Sequence, residues 1–94
     1  MKIKGFLWLN DIVQKLHWKH SVTPEEVAEL FQNSPRFFFV EKGNRPGENV
    51  YIAFGQTDGG RYLVVYFVHK KNGQALILSA RDMTKAQRKK YGKK

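Results

Sequence analysis

The chain has 94 residues, room for one small domain spanning 1–94, because a second core would lack apolar surface. Hydrophobic residues make up 41% and there is no cysteine, so the chain can fold but holds no disulfide framework, thiolate zinc site or thiol nucleophile. Seventeen Lys and Arg against eight Asp and Glu give a formal charge of +9, which points to a polyanionic partner, nucleic acid before an acidic protein or an anionic membrane.

At the start, MKIKGFLWLN has bases before a short apolar run but no small-residue cleavage site, and no run approaches the roughly 20 apolar residues of a membrane span. The expectation is a cytoplasmic protein with no membrane partner. KIKGFLWL reads as a first strand, ended by Asn10 and Asp11, either of which can cap a following helix over Asp11 to His20. Val13, Leu16, His17 and His20 recur there at helical spacing. Next, Thr23 can cap a second helix, Pro24 fits its first position, and Glu26 stands where a reciprocal capping box needs it. Val27, Leu30 and Phe31 form its apolar face, and Asn33 to Pro35 end it.

RFFFVE, NVYIAFGQ, RYLVVYFVHK and QALILSARD read as four strands, separated by KGNRPGE, TDGG and a turn around Asn72 and Gly73. A charged helix closes the chain. Strand, two helices, four strands and a helix suggest an α+β domain, an antiparallel sheet with helices laid on one side. With Asn72 and Gly73 at the centre of a two-residue turn, Lys71 opposes Gln74, Tyr66 opposes Ser79 and Val64 opposes Arg81. Leu76, Leu78 and Ala80 then join Leu63, Val65 and Phe67 beneath the helices, while Tyr62, Tyr66, Ser79 and Arg81 share the other face.

Charge concentrates at the end: residues 81–94 hold seven bases and one acid, Asp82, for a net +6, leaving +3 for the first 80 residues. Tyrosines and an arginine on a sheet face beside a basic helix supply stacking surfaces and cations, the two components of single-strand binding. β-propensity alone also favours Tyr51, Tyr62 and Tyr66 as ordinary strand residues, and a lysine-rich tail also serves solubility. For RNA cleavage the requirements are a base for the 2′-hydroxyl, cations for the crowded phosphorane and an acid for the leaving 5′-oxygen. Arginine suits the middle role, since its planar fork stays charged and fits two phosphate oxygens. His20 and Glu48 are alternative proton carriers: a histidine titrates near neutrality, although His20 also suits a helix C-terminus and Glu48 a solvated loop. No metal-site spacing is present, as His17 and His20 lack a carboxylate partner, and Ser79 lacks the glycine-framed elbow of a serine nucleophile. No cofactor is called for.

Trp8, Lys19-His20 twelve residues on with Val22 close behind, Glu25-Glu26, Phe31, Gly47-Glu48, Gly60-Arg61 before an apolar strand, Ser79-Ala80-Arg81 and a final Tyr91 together resemble the BrnT family of toxin ribonucleases. ILSARDMTKAQRKKY stands where that family has I-S-A-R-x-x-x-x-x-E-R-x-x-Y. Leu9 and Ile12 replace its usual Asp and Lys, Ser21 its Gly, and Gln87 the Glu before Arg88. The resemblance implies a RelE-like fold, metal-independent cleavage of RNA, and a cognate antitoxin that binds operator DNA as part of the complex. It places phosphate-contacting and catalytic roles on Lys19, His20, Glu48, Arg61, Arg81, Arg88 and Tyr91. Arg81 is then expected to stabilise transition-state charge, with Arg61 as a second phosphate clamp and Tyr91 as stacker or neutral proton donor. Lys85, Lys89, Tyr62 and Tyr66 complete the expected RNA-binding set. Two other readings fit the same residues: a non-catalytic nucleic-acid-binding or antitoxin-binding regulator descended from such a toxin, and a structural domain whose basic surface serves an acidic protein.

Overall fold

In a computed structural model, which describes residues 1–92, the elements follow the predicted order. They are β1 (Gly5–Leu7), α1 (Asn10–His20), α2 (Pro24–Gln32), β2 (Arg36–Arg45), β3 (Glu48–Gln56), β4 (Tyr62–His69), β5 (Gln74–Asp82) and α3 (Lys85–Gly92). Lys93 and Lys94, part of the basic tail, lie outside the described residues. The five strands form one sheet in the order β1-β5-β4-β3-β2. β2 to β5 pair antiparallel as expected, but β1 lies parallel to β5, with Phe6 opposite Ala75, so the sheet is mixed. The connectivity permits parallel pairing, because α1 through β4 supply the long crossover connection that a parallel pair needs.

α1 begins without the expected side-chain cap. Leu9 holds the N-cap position in extended geometry and makes no capping hydrogen bond, so neither Asn10 nor Asp11 performs that role. The helix stops at Ser21, whose left-handed φ of 52° turns the chain and buries Val22 completely. α2 starts as predicted. Glu26 N–H donates to Thr23 Oγ1 at 3.2 Å and Thr23 N–H donates to Glu26 Oε1 at 3.1 Å, which satisfies two otherwise free donors of the first turn.

Both helices cover one sheet face. Leu16, Val22, Val27, Leu30, Ala53, Leu63, Val65, Phe67, Ala75, Ile77 and Ala80 form the core there. Phe31, partly buried, packs against this core, edge-on to Phe6 at 5.1 Å and to Phe67 at 5.2 Å, geometries that aromatic quadrupoles favour. α2 approaches β3 closely at Gly55, where an added Cβ would stand 2.8 Å from Leu30 Cγ. α3, the basic helix expected beside the tyrosines and Arg81, does not join the other two helices. It folds back over the opposite face, where Tyr91 packs edge-on against Tyr62 at 6.0 Å.

The β4–β5 hairpin corrects the predicted core. Gly73 N–H donates to the Lys70 carbonyl at 2.9 Å and Lys70 N–H donates to the Gln74 carbonyl at 2.8 Å, so Lys70 rather than Lys71 opposes Gln74. Gly73, at φ +91°, supplies the left-handed residue that ends a three-residue hairpin loop. This one-residue offset turns Ala75 and Ile77 inward in place of Leu76 and Leu78. A second irregularity, between Tyr66 and Phe67, absorbs Leu78 as an extra exposed residue. Beyond it the predicted pairs return: Tyr66 opposes Ser79 and Val64 opposes Arg81. The stretch read as a loop after β2 is also paired, since β2 continues irregularly to Arg45 and only Pro46 and Gly47 turn.

Candidate functional site

Arg81 leaves β5 on the face opposite the core, under α3. Its Nη1 donates to Gln87 Oε1 at 3.3 Å and to the Asp82 carbonyl at 3.1 Å. Both partners are neutral, so the guanidinium is held in place while, among the described residues, no carboxylate pairs with its charge. Gln87 can reach because α3 is anchored beside the strand end. Its own N–H donates to Thr84 Oγ1 at 3.1 Å, and its Oε1 accepts from Thr84 N–H at 3.0 Å, a second reciprocal capping box in the chain. One amide oxygen thus starts the helix and orients the arginine.

Around Arg81 lie the aromatic and basic groups expected on this face. The Arg88 guanidinium sits 4.3 Å from the centroid of the Tyr62 ring, within cation–π range, so that ring is already covered on one side. Tyr91 contacts Tyr62 edge-on, and the Arg36 guanidinium lies 5.8 Å from its ring centroid. A groove of about 600 Å³ runs between β2 and α3, lined by Arg36, Phe38, Phe54, Gln87, Lys90 and Tyr91. Tyr66 lies on the same face, beside Ser79 and Ile52. Lys85 and Lys89 project into solvent from α3.

Arg61 is placed differently. It lies across the sheet, on the helix side, and its donors are occupied by the chain itself. Nε donates to Asp82 Oδ1 at 2.8 Å and Nη2 to Asp82 Oδ2 at 3.2 Å, a two-pronged ion pair. Nη1 donates to the Ser21 carbonyl at 2.6 Å and Nη2 to the His20 carbonyl at 2.7 Å, while Glu26 stands 3.4 Å away. The guanidinium caps the C-terminus of α1 and ties it to α2 and β5. The Asp82 hydrogen bond holds the Arg61 pKa above its ordinary value, and Arg61 holds Asp82 below the usual aspartate value. The two arginines expected as phosphate contacts lie on different faces: alternation along β5 sends Asp82, with Arg61, to one face and Arg81 to the other.

Lys19 and His20 end α1 on the Arg61 side, Lys19 exposed and His20 half-buried. Glu48 is distant from both arginines. Its carboxylate accepts from Lys70 Nζ at 2.8 Å and from Lys71 N–H at 3.2 Å, fastening β3 to the β4–β5 hairpin. The Lys70 hydrogen bond holds its pKa below the ordinary glutamate value. Phe54, which lies in line with Val64 and Arg81, is six positions along β3 from Glu48, a span of about 20 Å. Among the described residues, no three His, Cys, Asp or Glu side chains gather to hold a metal ion, and no helix is long and apolar enough to cross a membrane.

Sequence reading missed Gln87, Arg36 and Phe54 as neighbours of this site. A signal for the first was present, since Thr84-x-x-Gln87 has the capping-box spacing. Arg36 and Phe54 carried none, because they reach the groove only through the β2–β3 ladder, in which they are directly paired.

No curated protein matches the chain. A family model described as "Ribonuclease toxin, BrnT, of type II toxin-antitoxin system" matches residues 8–87, from Trp8 through Gln87. That span holds both capping boxes, Arg61, Arg81 and every strand but β1, and it leaves only the ends of the chain unmatched. The chain therefore belongs to the BrnT family of ribonuclease toxins of type II toxin–antitoxin systems, a membership that implies RNA as substrate and an antitoxin as partner.

Proposed function

We propose that this chain cleaves RNA without a metal ion, on the sheet face beneath α3, with Arg81 stabilising the charge that develops on the scissile phosphate. The observation that carries this reading is the neutral anchoring of Arg81. A guanidinium bonded to an amide and a peptide carbonyl keeps both its full charge and free N–H groups for phosphate oxygens. Tyr91, packed against Tyr62 on this face, is the candidate for a stacking surface or a neutral proton donor. Lys85, Arg88, Lys89 and Lys90 track the backbone on either side. Of the two alternatives for proton transfer, His20 lies off this face, on the Arg61 side, and Glu48 stands at the far end of β3, about 20 Å along the strand from the Arg81 row, so their engagement requires RNA to extend past the strand ends. Neutralisation would come from an antitoxin that also binds operator DNA.

The test is incubation of the purified chain with total RNA in EDTA. Wild type is expected to cut, and Arg81→Ala to lose at least about a hundredfold in rate, the usual cost of one preorganised charge donor. Arg81→Lys should not restore cutting, because an ammonium lacks the fork. Intact RNA with wild type, or equal cutting by Arg81→Ala, overturns the proposal. Salt-sensitive RNA binding without any cutting would instead establish the non-catalytic regulator.

A further inference from the structure

The two edges of the sheet are unlike. β1 closes one side as a strand of three residues, whereas β2 leaves the other side open over ten, Arg36–Arg45. Natural edge strands are blunted by shortness, inward charges or a covering element, since a row of free N–H and C=O groups is a template for another chain. β2 instead carries Phe37, Phe38, Phe39 and Val40 in succession. Phe38 is 51% exposed on the α3 face, Phe39 is 57% exposed on the helix face, and Val40 at the bulge is 40% exposed. Apolar surface on both faces of an open edge suits one kind of occupant: an extended peptide that continues the hydrogen-bond ladder and covers each face with alternate side chains.

Charge selects among extended occupants. Arg36, Lys42 and Arg45 bracket the apolar run, with Glu41 the one acid, and Lys90 stands at the neighbouring groove. A second copy would bring another +9 chain and a second set of these bases against the first. RNA offers no backbone to extend the ladder, and Phe39 faces away from Arg81. A segment of an acidic protein meets all three conditions.

We propose that the antitoxin implied by the family docks by adding an extended, carboxylate-bearing segment to the open edge of β2, with apolar side chains packed on Phe38 and Phe39. On the α3 face such a segment runs along the groove of Phe38, Phe54 and Tyr91, beside Gln87 and therefore beside the guanidinium that Gln87 orients. If that face binds RNA as proposed, docking also blocks it; the docking site itself does not depend on cleavage.

The test uses the full chain with the antitoxin expressed from the reading frame beside its own. Amide hydrogen exchange at Phe37 to Val40 is expected to slow in the complex. Phe39→Lys, at an exposed position outside the RNA face, is expected to weaken antitoxin binding about thirtyfold, the effect of losing one aromatic anchor. It should leave the far-UV circular dichroism and RNA binding of the free chain unchanged. Phe39→Leu, which keeps apolar area, should retain most of the affinity. Unaltered exchange at β2 together with unaltered affinity of Phe39→Lys would overturn the proposal. So would a dimer of the isolated chain that Phe39→Lys dissociates, because the edge would then belong to a second copy. Failure of wild type to cut RNA, with β2 protected by the antitoxin, would sink the cleavage reading and leave this one standing.

Discussion

Two arginines that look equivalent in a string of residues divide the labour between them. Arg61 is surrounded by Asp82, Glu26 and two helix-terminal carbonyls, so it acts on the fold. Arg61→Ala is expected to cost about 1–3 kcal/mol, because it strands the acceptors it now satisfies, as measured by urea unfolding. The Asp82 side chain is 64% exposed, and solvent screening limits the ion pair itself to about 1 kcal/mol of that. Because Arg61 depresses the Asp82 pKa below its ordinary 3.8, this part is fully present above that value and is lost as pH falls through the lower folded-state value. The stability gap between wild type and Arg61→Ala should accordingly narrow in acid, below about pH 4, and stay constant from pH 5 to 8. The partners of Arg61 come from α1, α2 and β5, and only chain folding assembles them.

At the scale of elements, α3 and β5 form one device. The Thr84 and Gln87 box starts the helix, and the same Gln87 oxygen holds Arg81. Gln87→Glu should keep the box, since a glutamate fits that position equally well, yet it would set a carboxylate beside the guanidinium. The expected outcome is an unchanged or slightly raised melting temperature with weaker RNA binding, and a salt slope reduced by about 0.7, one phosphate contact. Titrating labelled RNA at several salt concentrations checks it. The α2 box was legible beforehand because it depends on short-range spacing, whereas the predicted pairing of Val64 with Arg81 holds only because the bulge at Leu78 cancels the one-residue offset of the hairpin loop. The identity of Ala75 and Ile77 as core residues was not legible. It turns on whether the hairpin loop holds two residues or three, and a dipeptide such as Asn72-Gly73 is compatible with both.

For the whole molecule, the imbalance of charge sets long-range behaviour while the sheet decides where it is used. Binding of single-stranded RNA should weaken steeply with salt, and replacing Lys85, Arg88 and Lys89 together by Ala should reduce the slope of log affinity against log salt by about 2. An unchanged slope would remove α3 from the RNA path. By itself the sequence determined the element order, the α+β class and the basic C-terminal region, which follow from local periodicity, capping spacing and composition, and its ordered motifs carried the resemblance to the toxin family. Only the tertiary structure decided that β1 joins in parallel, that α3 crosses to the second face, that Arg61 and Arg81 part company, and that β2 stands open with phenylalanines on both faces. The physical reason is common to all four. Each depends on which distant segments come to lie side by side, and no neighbour in sequence records that.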